Sequence, residues 1–359
     1  MRVCILGNGL TSLSLAKSLI NRGLKVDLFS NNDKNIYNKS QTLGISKSNV
    51  DYFNKNILDI NKLLWDINKI EIYSEKLNNE KILNFENKST KLFSIVKNFE
   101  LYDYLLSELK KSKLFKIKKL SDKIFFFQEY CLVINCDDNH QITKKFFYKK
   151  FFKNYNSHAY VTIFDHSKLL SNDIAVQVFT KNGPLAFLPI SKTQTSVVYS
   201  LKGRKIFNKK VLMNLIRDNS KKYNIKKIHD FKSFELKSSD LRNYYYKNIL
   251  AFGNLLHRLH PLAGQGFNMG IRDIKVLLQL IEYKNNLGIQ LDSSICIEFE
   301  KKIKHHNYLF SNGIDFIYEF FNIESKINNK LISKSIKLFG KNQFVNKSLI
   351  KMADNGIIF

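Results

Sequence analysis

The residues with the most chemical potential lie between 253 and 273, where His257, His260, Pro261, Gly264, Gly266 and Asn268 share one short stretch. Gly264 and Gly266 let a ligand approach the backbone, because no Cβ stands in the way. A helix starting there would add free N–H groups and the positive end of its dipole at the same spot. That combination favours docking of an anionic or electron-rich group. The two histidines are read as structural, bonded to loop carbonyls, in preference to general bases. A second glycine pair, Gly7 and Gly9, stands near the other end of the chain, with Ser12 three residues on. In the G-x-G-x-x-G fingerprint the first glycine makes a tight turn and the second admits a pyrophosphate. Ser12 replaces the third glycine with a small residue that still permits helix–strand packing. Ser30 stands where a ribose-binding acid is expected.

The elements that must position these residues follow from the apolar pattern. Residues 249–252 form an apolar run that predicts a buried strand ending at Gly253. After the loop, Ile271, Ile274, Leu278 and Ile281 recur at helical spacing. Near the start, an apolar strand over 2–6, a helix burying Leu13, Ala16, Leu19 and Ile20, a cap at Gly23 and a strand over 24–29 make a compact β–α–β unit. Residues 41–46 predict a short strand and 50–65 a helix; strands follow at 70–73 and 82–85, a helix at 101–109, and a buried strand at 131–134 running into Asp137. The middle third, with strands at 159–164, 174–179, 185–190 and 196–201, reads as an antiparallel sheet. Another helix begins over 211–216. Helices are expected over 294–304, 307–321, 326–339 and 344–353.

Composition narrows the function classes. At 359 residues the chain can bury a large core. The formal net charge is +27, yet only seven of the 58 basic residues are Arg. Nucleic-acid recognition draws on Arg forks, and no groove-reading motif accompanies the lysines, so no nucleic-acid partner is expected. A solvated Lys surface is the favoured reading, with attraction to an anionic membrane as the weaker one. No apolar stretch is long enough to span a bilayer, and the first twenty residues carry no signal-peptide pattern. The expected location is cytoplasmic, with a peripheral position on the inner face of the membrane as an option. The four cysteines show no C-x-x-C spacing and read as free thiols in a reducing compartment. No metal site is expected, since His305 and His306 are adjacent and diverge on a helix. The Phe146-Phe147 and Phe151-Phe152 pairs are expected to be partly buried packing residues.

Gly253-Asn254-Leu255-Leu256-His257, His260-Pro261-Leu262-Ala263-Gly264-Gln265-Gly266-Phe267-Asn268-Met269-Gly270 and Arg272-Asp273 together resemble the second FAD-binding motif of the class A flavoprotein monooxygenases. The similarity is greatest to the ubiquinone-biosynthesis hydroxylases. Gly183-Pro184-Leu185-Ala186-Phe187-Leu188-Pro189-Ile190 resembles a strand of the same family, and Phe310-Ser311-Asn312 a segment that follows the motif. The chain's three prolines, Pro184, Pro189 and Pro261, all fall within these stretches. The resemblance implies an α/β fold: a glutathione-reductase-like FAD-binding domain (1–64, 95–150 and 235–305), an interleaved antiparallel substrate domain (65–94 and 151–234) and a C-terminal helical region (306–359). It implies FAD, with NAD(P)H as transient reductant, and O2 as the source of an oxygen delivered to an activated aromatic ring. Gly7, Gly9 and Ser12 would line the FAD pyrophosphate. Asn254, Pro261, Gly264, Gly266, Phe267 and Asn268 would lie along the ring or ribityl chain. Leu188, Pro189 and His260 would face a long apolar pocket for a polyprenyl phenol or quinol.

The same comparison marks departures. Gln41 stands where the family has an Arg contacting FAD; losing a charge-assisted phosphate contact weakens cofactor retention. Asp137 fits a further family motif, whereas the residues after it do not. A non-catalytic or weakly flavin-binding subunit that holds lipid within a ubiquinone-biosynthesis assembly is therefore the second expectation. A flavin-dependent double-bond reductase is the third.

Overall fold

The computed structural model describes residues 1–30, 37–86, 91–119, 129–203, 208–220, 222–259, 265–326, 347–348, 350–352 and 354. His260, Pro261 and Gly264, and nearly all of the helix expected over 326–339, lie outside the described residues.

β1 (Arg2–Leu6) forms because Val3 to Leu6 is apolar on both faces, and all four residues are fully buried. Gly7, at φ +96°, turns the chain into α1 (Leu10–Ile20), and Gly23, at φ +76°, ends that helix. β2 (Lys25–Ser30) then returns parallel to β1, Leu6 lying opposite Phe29. β3 (Thr42–Ser46) leads into α2 (Lys47–Asn56), which stops well short of the expected residue 65. The reason is local. The Asn54 side chain accepts the Ile60 N–H and the Asp59 carboxylate accepts the Asn61 N–H, so side chains take the amides a longer helix would need.

β4 (Trp65–Ile67), β5 (Lys69–Ser74), β6 (Glu80–Glu86) and β7 (Phe93–Lys97) follow, then α3 (Asn98–Lys110), β8 (Phe115–Lys119), β9 (Leu132–Asn135) and α4 (Gln141–Phe146). β10 (Lys150–His166) is far longer than the expected 159–164. Its first half escapes an apolar-period reading because Phe151 and Phe152 are 56% and 62% exposed, not partly buried as expected. The chain continues through β11 (Ile174–Thr180), β12 (Gly183–Pro189), β13 (Gln194–Lys202), α5 (Lys209–Asn219), β14 (Ile225–Ile228) and β15 (Lys232–Leu241). It closes with β16 (Tyr245–Tyr246), β17 (Ile249–Ala251), β18 (His257–Arg258), α6 (Gln265–Asn286) and α7 (Ser294–Lys326). α7 runs unbroken through 305–306, where two helices were expected.

Among the described residues these strands make three sheets. One has the order β16-β17-β9-β1-β2-β8, parallel except for β16. The second runs β18-β15-β10-β13-β12-β11-β5-β6, antiparallel apart from the β11–β5 pair, with β14 on β10. The third, β3-β7-β4, is antiparallel. The fold is thus mixed α/β with C-terminal helices.

The largest core lies where the parallel sheet meets α1, α3, α6 and α7; Cys4, Leu13, Leu105, Ile134, Ile274 and Phe299 are among its buried members. Each large apolar side chain so buried contributes about 1.5–3 kcal/mol. Under α5, Leu212 and Ile216 cover Phe164, Leu185 and Phe187 on one face of the second sheet. On its other face Ala175 and the half-buried Leu188 and Ile190 pack against Ile67 and Ile95 of the small sheet. α6 crosses α1 closely. A Cβ added at Gly270 would sit 3.1 Å from Thr11 Oγ1, and one at Gly253 would lie 3.4 Å from the same side chain. These two glycines set where α6 begins relative to the G-x-G turn.

Candidate cofactor-binding site

Four parallel strands end at the same edge: β1 at Leu6, β2 at Ser30, β9 at Asn135 and β17 at Ala251. In doubly wound sheets the crevice beyond the carboxyl ends of the strands is where ligands bind. Gly7, Asp137 and Gly253 converge there. A Cβ at Gly7 would lie 3.4 Å from the Asp137 amide nitrogen, so the glycine turn and the β9 end touch backbone to backbone. Asp137 is held by its neighbours: its N–H donates to Asn135 Oδ1 at 3.1 Å, and its carboxylate accepts the Asn139 N–H at 2.8 Å. Ser12, on the buried face of α1, is 1% exposed. Cys136 beside it is buried enough for its thiol pKa to rise to about 12, so it stays protonated.

The Gly7–Gly9 turn is roofed by two tyrosines that the sequence did not single out. The Leu10 N–H, the first amide of α1, donates to Tyr37 Oη at 3.2 Å, and Asn8 Nδ2 donates to Tyr102 Oη at 3.2 Å. The two rings meet at 5.8 Å with a 59° tilt. Gln41 turns onto its own loop. Its Oε1 accepts the Asn38 N–H at 3.2 Å, and its N–H donates to Asn38 O at 3.0 Å.

Asn268 sits in the first turns of α6, 2% exposed. Its Oδ1 accepts from the Ser46 N–H at 2.9 Å and from Asn49 Nδ2 at 3.0 Å, while its Nδ2 donates to Gly44 O at 2.9 Å. Its amide therefore fastens β3 and α2 to the start of α6. Phe267 packs on Phe53 at 6.3 Å. Gln265 Oε1, at the first residue of α6, is buried with no hydrogen-bond partner among the described residues. A Cβ added at Gly266 would meet nothing within 4 Å among the described residues. Asn254 is exposed, in the short 3-10 turn Gly253–Leu255 that follows β17. Leu188 and Pro189 lie at the end of β12, on opposite faces of the strand. Thr42 on β3 bonds Ser196, opposite Leu188 in the register, at 2.8 Å. The small sheet is thus tied to β13, the neighbour of the strand that carries Leu188 and Pro189.

His257 is not bonded to a loop carbonyl, as expected, but to a carboxylate. Its Nε2 meets Asp273 Oδ2 at 2.5 Å, both side chains being at most 2% exposed. Asn307 on α7 donates to the other Asp273 oxygen at 3.2 Å. Burial alone would lower the His257 pKa, but the Asp273 charge outweighs it and holds the imidazole above its usual value. Asp240, across the β15–β18 pair, is pushed up by burial, and its Oδ2 accepts the Ser311 hydroxyl at 2.8 Å. The pairing couples residues 16 apart in sequence, which neither histidine spacing nor helix period signals.

No protein-family model matches the chain. In sequence it is similar to the ubiquinone biosynthesis monooxygenase COQ6, mitochondrial, of Dictyostelium discoideum (29% identity over 120 residues, 33% of this chain and 23% of that protein). It is also similar to the 3-demethoxyubiquinol 3-hydroxylase of Escherichia coli K12 (26% over 159 residues, 41% and 39%). The chain spans less than half the length of the curated relatives it matches. In structure it resembles p-nitrophenol 4-monooxygenase PnpA from Pseudomonas putida DLL-E4, with a TM-score of 0.78 and 12% identity over 99% of this chain and 98% of that one. The probable FAD-dependent monooxygenase pqsL from Pseudomonas aeruginosa gives 0.67 and 13%, over 94% and 99%.

Proposed function

We propose that this chain, which has the fold of the FAD-dependent aromatic monooxygenases and ubiquinone-biosynthesis hydroxylases among its relatives, is itself an FAD-dependent hydroxylase. Its substrate class is a polyprenylated phenol or quinol, with NAD(P)H and O2 as co-substrates. The observation that carries the reading is the meeting of the α1 and α6 starts at the carboxyl edge of the parallel sheet.

The residues there suit FAD. An amide at a helix start already holds an oxygen acceptor, the kind of atom a phosphate presents. Gln265 Oε1, which has no hydrogen-bond partner among the described residues, is an acceptor for an N–H such as a flavin ring carries. On this reading the cofactor lies on the discontinuous unit 1–64, 95–150 and 235–305. Gly7, Gly9, Ser12 and Asp137 border its diphosphate half; Gln41, Asn254, Pro261, Gly264, Gly266, Phe267 and Asn268 border its flavin half. When bound, FAD supplies the electron transfer and the oxygen chemistry. The chain's own work is binding, orientation and exclusion of water. The α6 dipole favours negative charge at its start. Asn268 keeps that start in register with β3; Leu188, on the β12 face turned to the small sheet, would border the apolar substrate together with His260, whereas Pro189 lies on the opposite face. Among the described residues no helix is long and apolar enough to cross a membrane. A polyprenyl tail and a lysine-rich surface together favour a peripheral position on an anionic membrane face.

Incubating the FAD-loaded chain with NAD(P)H, a prenylated phenol and 18O2 is expected to give product carrying one labelled oxygen. Reduced product without label would favour the double-bond reductase instead. Complete absence of turnover in loaded protein would favour the non-catalytic subunit, which Gln41's turn onto its own loop motivates and the enzyme names of the relatives oppose.

A further inference from the structure

We propose that Tyr37 is an internal competitor for the diphosphate of FAD, its hydroxyl holding the first amide of α1 until the cofactor displaces it. The inference rests on the FAD reading and deepens it. The Leu10 N–H donates to Tyr37 Oη at 3.2 Å, and a Cβ built on Gly9 would lie 3.7 Å from that same oxygen. The hydroxyl therefore stands over the second glycine of the G-x-G turn, where the fingerprint brings a pyrophosphate to the helix start. The hydroxyl takes both the N–H and the space over Gly9, so a phosphate docking on this turn must displace it.

The contest is uneven in chemistry. Burial pushes the Tyr37 pKa up, so the group stays a neutral acceptor at ordinary pH. A phosphate oxygen makes a charge-assisted bond, roughly twice as strong. Displacement nonetheless costs the hydroxyl bond and the contact of the Tyr37 ring with Tyr102 at 5.8 Å. Tyr102 does not move readily: it is 1% exposed on the buried face of α3, and its own hydroxyl accepts from Asn8. Tyr37 is the half-buried member of the pair, and so the one the cofactor would displace. The expected consequence is a chain that takes up FAD more weakly than its intact turn would allow.

The test titrates the full chain, Tyr37→Phe and Tyr37→Ala with FAD, ADP and riboflavin, following flavin fluorescence and calorimetric heat. Tyr37→Phe is expected to tighten FAD and ADP by about three- to tenfold, the worth of one neutral hydrogen bond. Tyr37→Ala should tighten them at least as much. Riboflavin, which has no phosphate, should bind all three proteins equally. Circular dichroism establishes folding, and if Tyr37→Ala fails to fold, Tyr37→Phe alone decides. FAD and ADP affinities that stay the same or weaken in folded variants, while wild type binds FAD, would overturn the competitor and leave the FAD reading standing. Failure of wild type and variants alike to bind FAD would overturn both.

Discussion

Replacing Asp273 with alanine is expected to cost about 3–5 kcal/mol of folding stability, the penalty for leaving one member of a buried ion pair alone. The His257 and Asp273 side chains are at most 2% exposed, and Asp273 bonds Nε2, while among the described residues no group bonds Nδ1. Asn307 would lose its acceptor as well, loosening the hold of α7 on α6. The effect carries a pH signature. The folded-state pKa of His257 lies above its ordinary value, so the pair's charge contribution is fully present below about pH 6.5. It is lost as the pH rises through the raised folded value. The stability gap between wild type and Asp273→Ala in urea melts should thus be widest in mild acid and narrow as the solution is made alkaline. A gap independent of pH would mean that His257 is neutral throughout.

Gly183→Ala is expected to lower stability by at least about 3 kcal/mol, combining backbone strain with a collision. Gly183 opens β12 at φ +137°, a region closed to L side chains, and its added Cβ would lie 2.0 Å from Ser200 O on β13. The obstacle is backbone inside a ladder that pairs Leu185 with Tyr199, so relief means unzipping the strand that carries Leu188 and Pro189. Gly288→Ala serves as the comparison. It shares a positive φ of +69° but has nothing within 4 Å of its Cβ among the described residues. It should lose only about 1 kcal/mol. Equal losses in chemical denaturation of the two variants would show that the Gly183 contact relaxes and that strain alone matters.

Both effects bear on how far the sequence could be read. The β–α–β start and the helix beginning after Gly264 were legible, because apolar periods of two and 3.6 and the glycines between them are local signals. Gly183 was legible as part of a motif, though not its reason, which is a carbonyl 17 residues away on another strand. The His257–Asp273 pair was misread for the same cause: the partner of a buried histidine is chosen by tertiary packing. Tyr37 carried no signal, since nothing local marks a tyrosine that will cross to a helix start 27 residues earlier. The lengths of α2, β10 and α7 were misjudged where polar side chains decide the ends. Asn54 and Asp59 stop α2, exposed aromatics hide half of β10, and α7 runs as one helix where separate helices over 294–304 and 307–321 were expected.

The central claim is an FAD site between the G-x-G turn and the start of α6. Its most direct test is the visible spectrum of the full chain after incubation with excess FAD and removal of free flavin by gel filtration. The expected result is a yellow protein whose two flavin absorption bands co-elute with the chain, with altered flavin fluorescence. A colourless, folded protein, unchanged in thermal stability by saturating FAD, would contradict the site and with it the proposed hydroxylase.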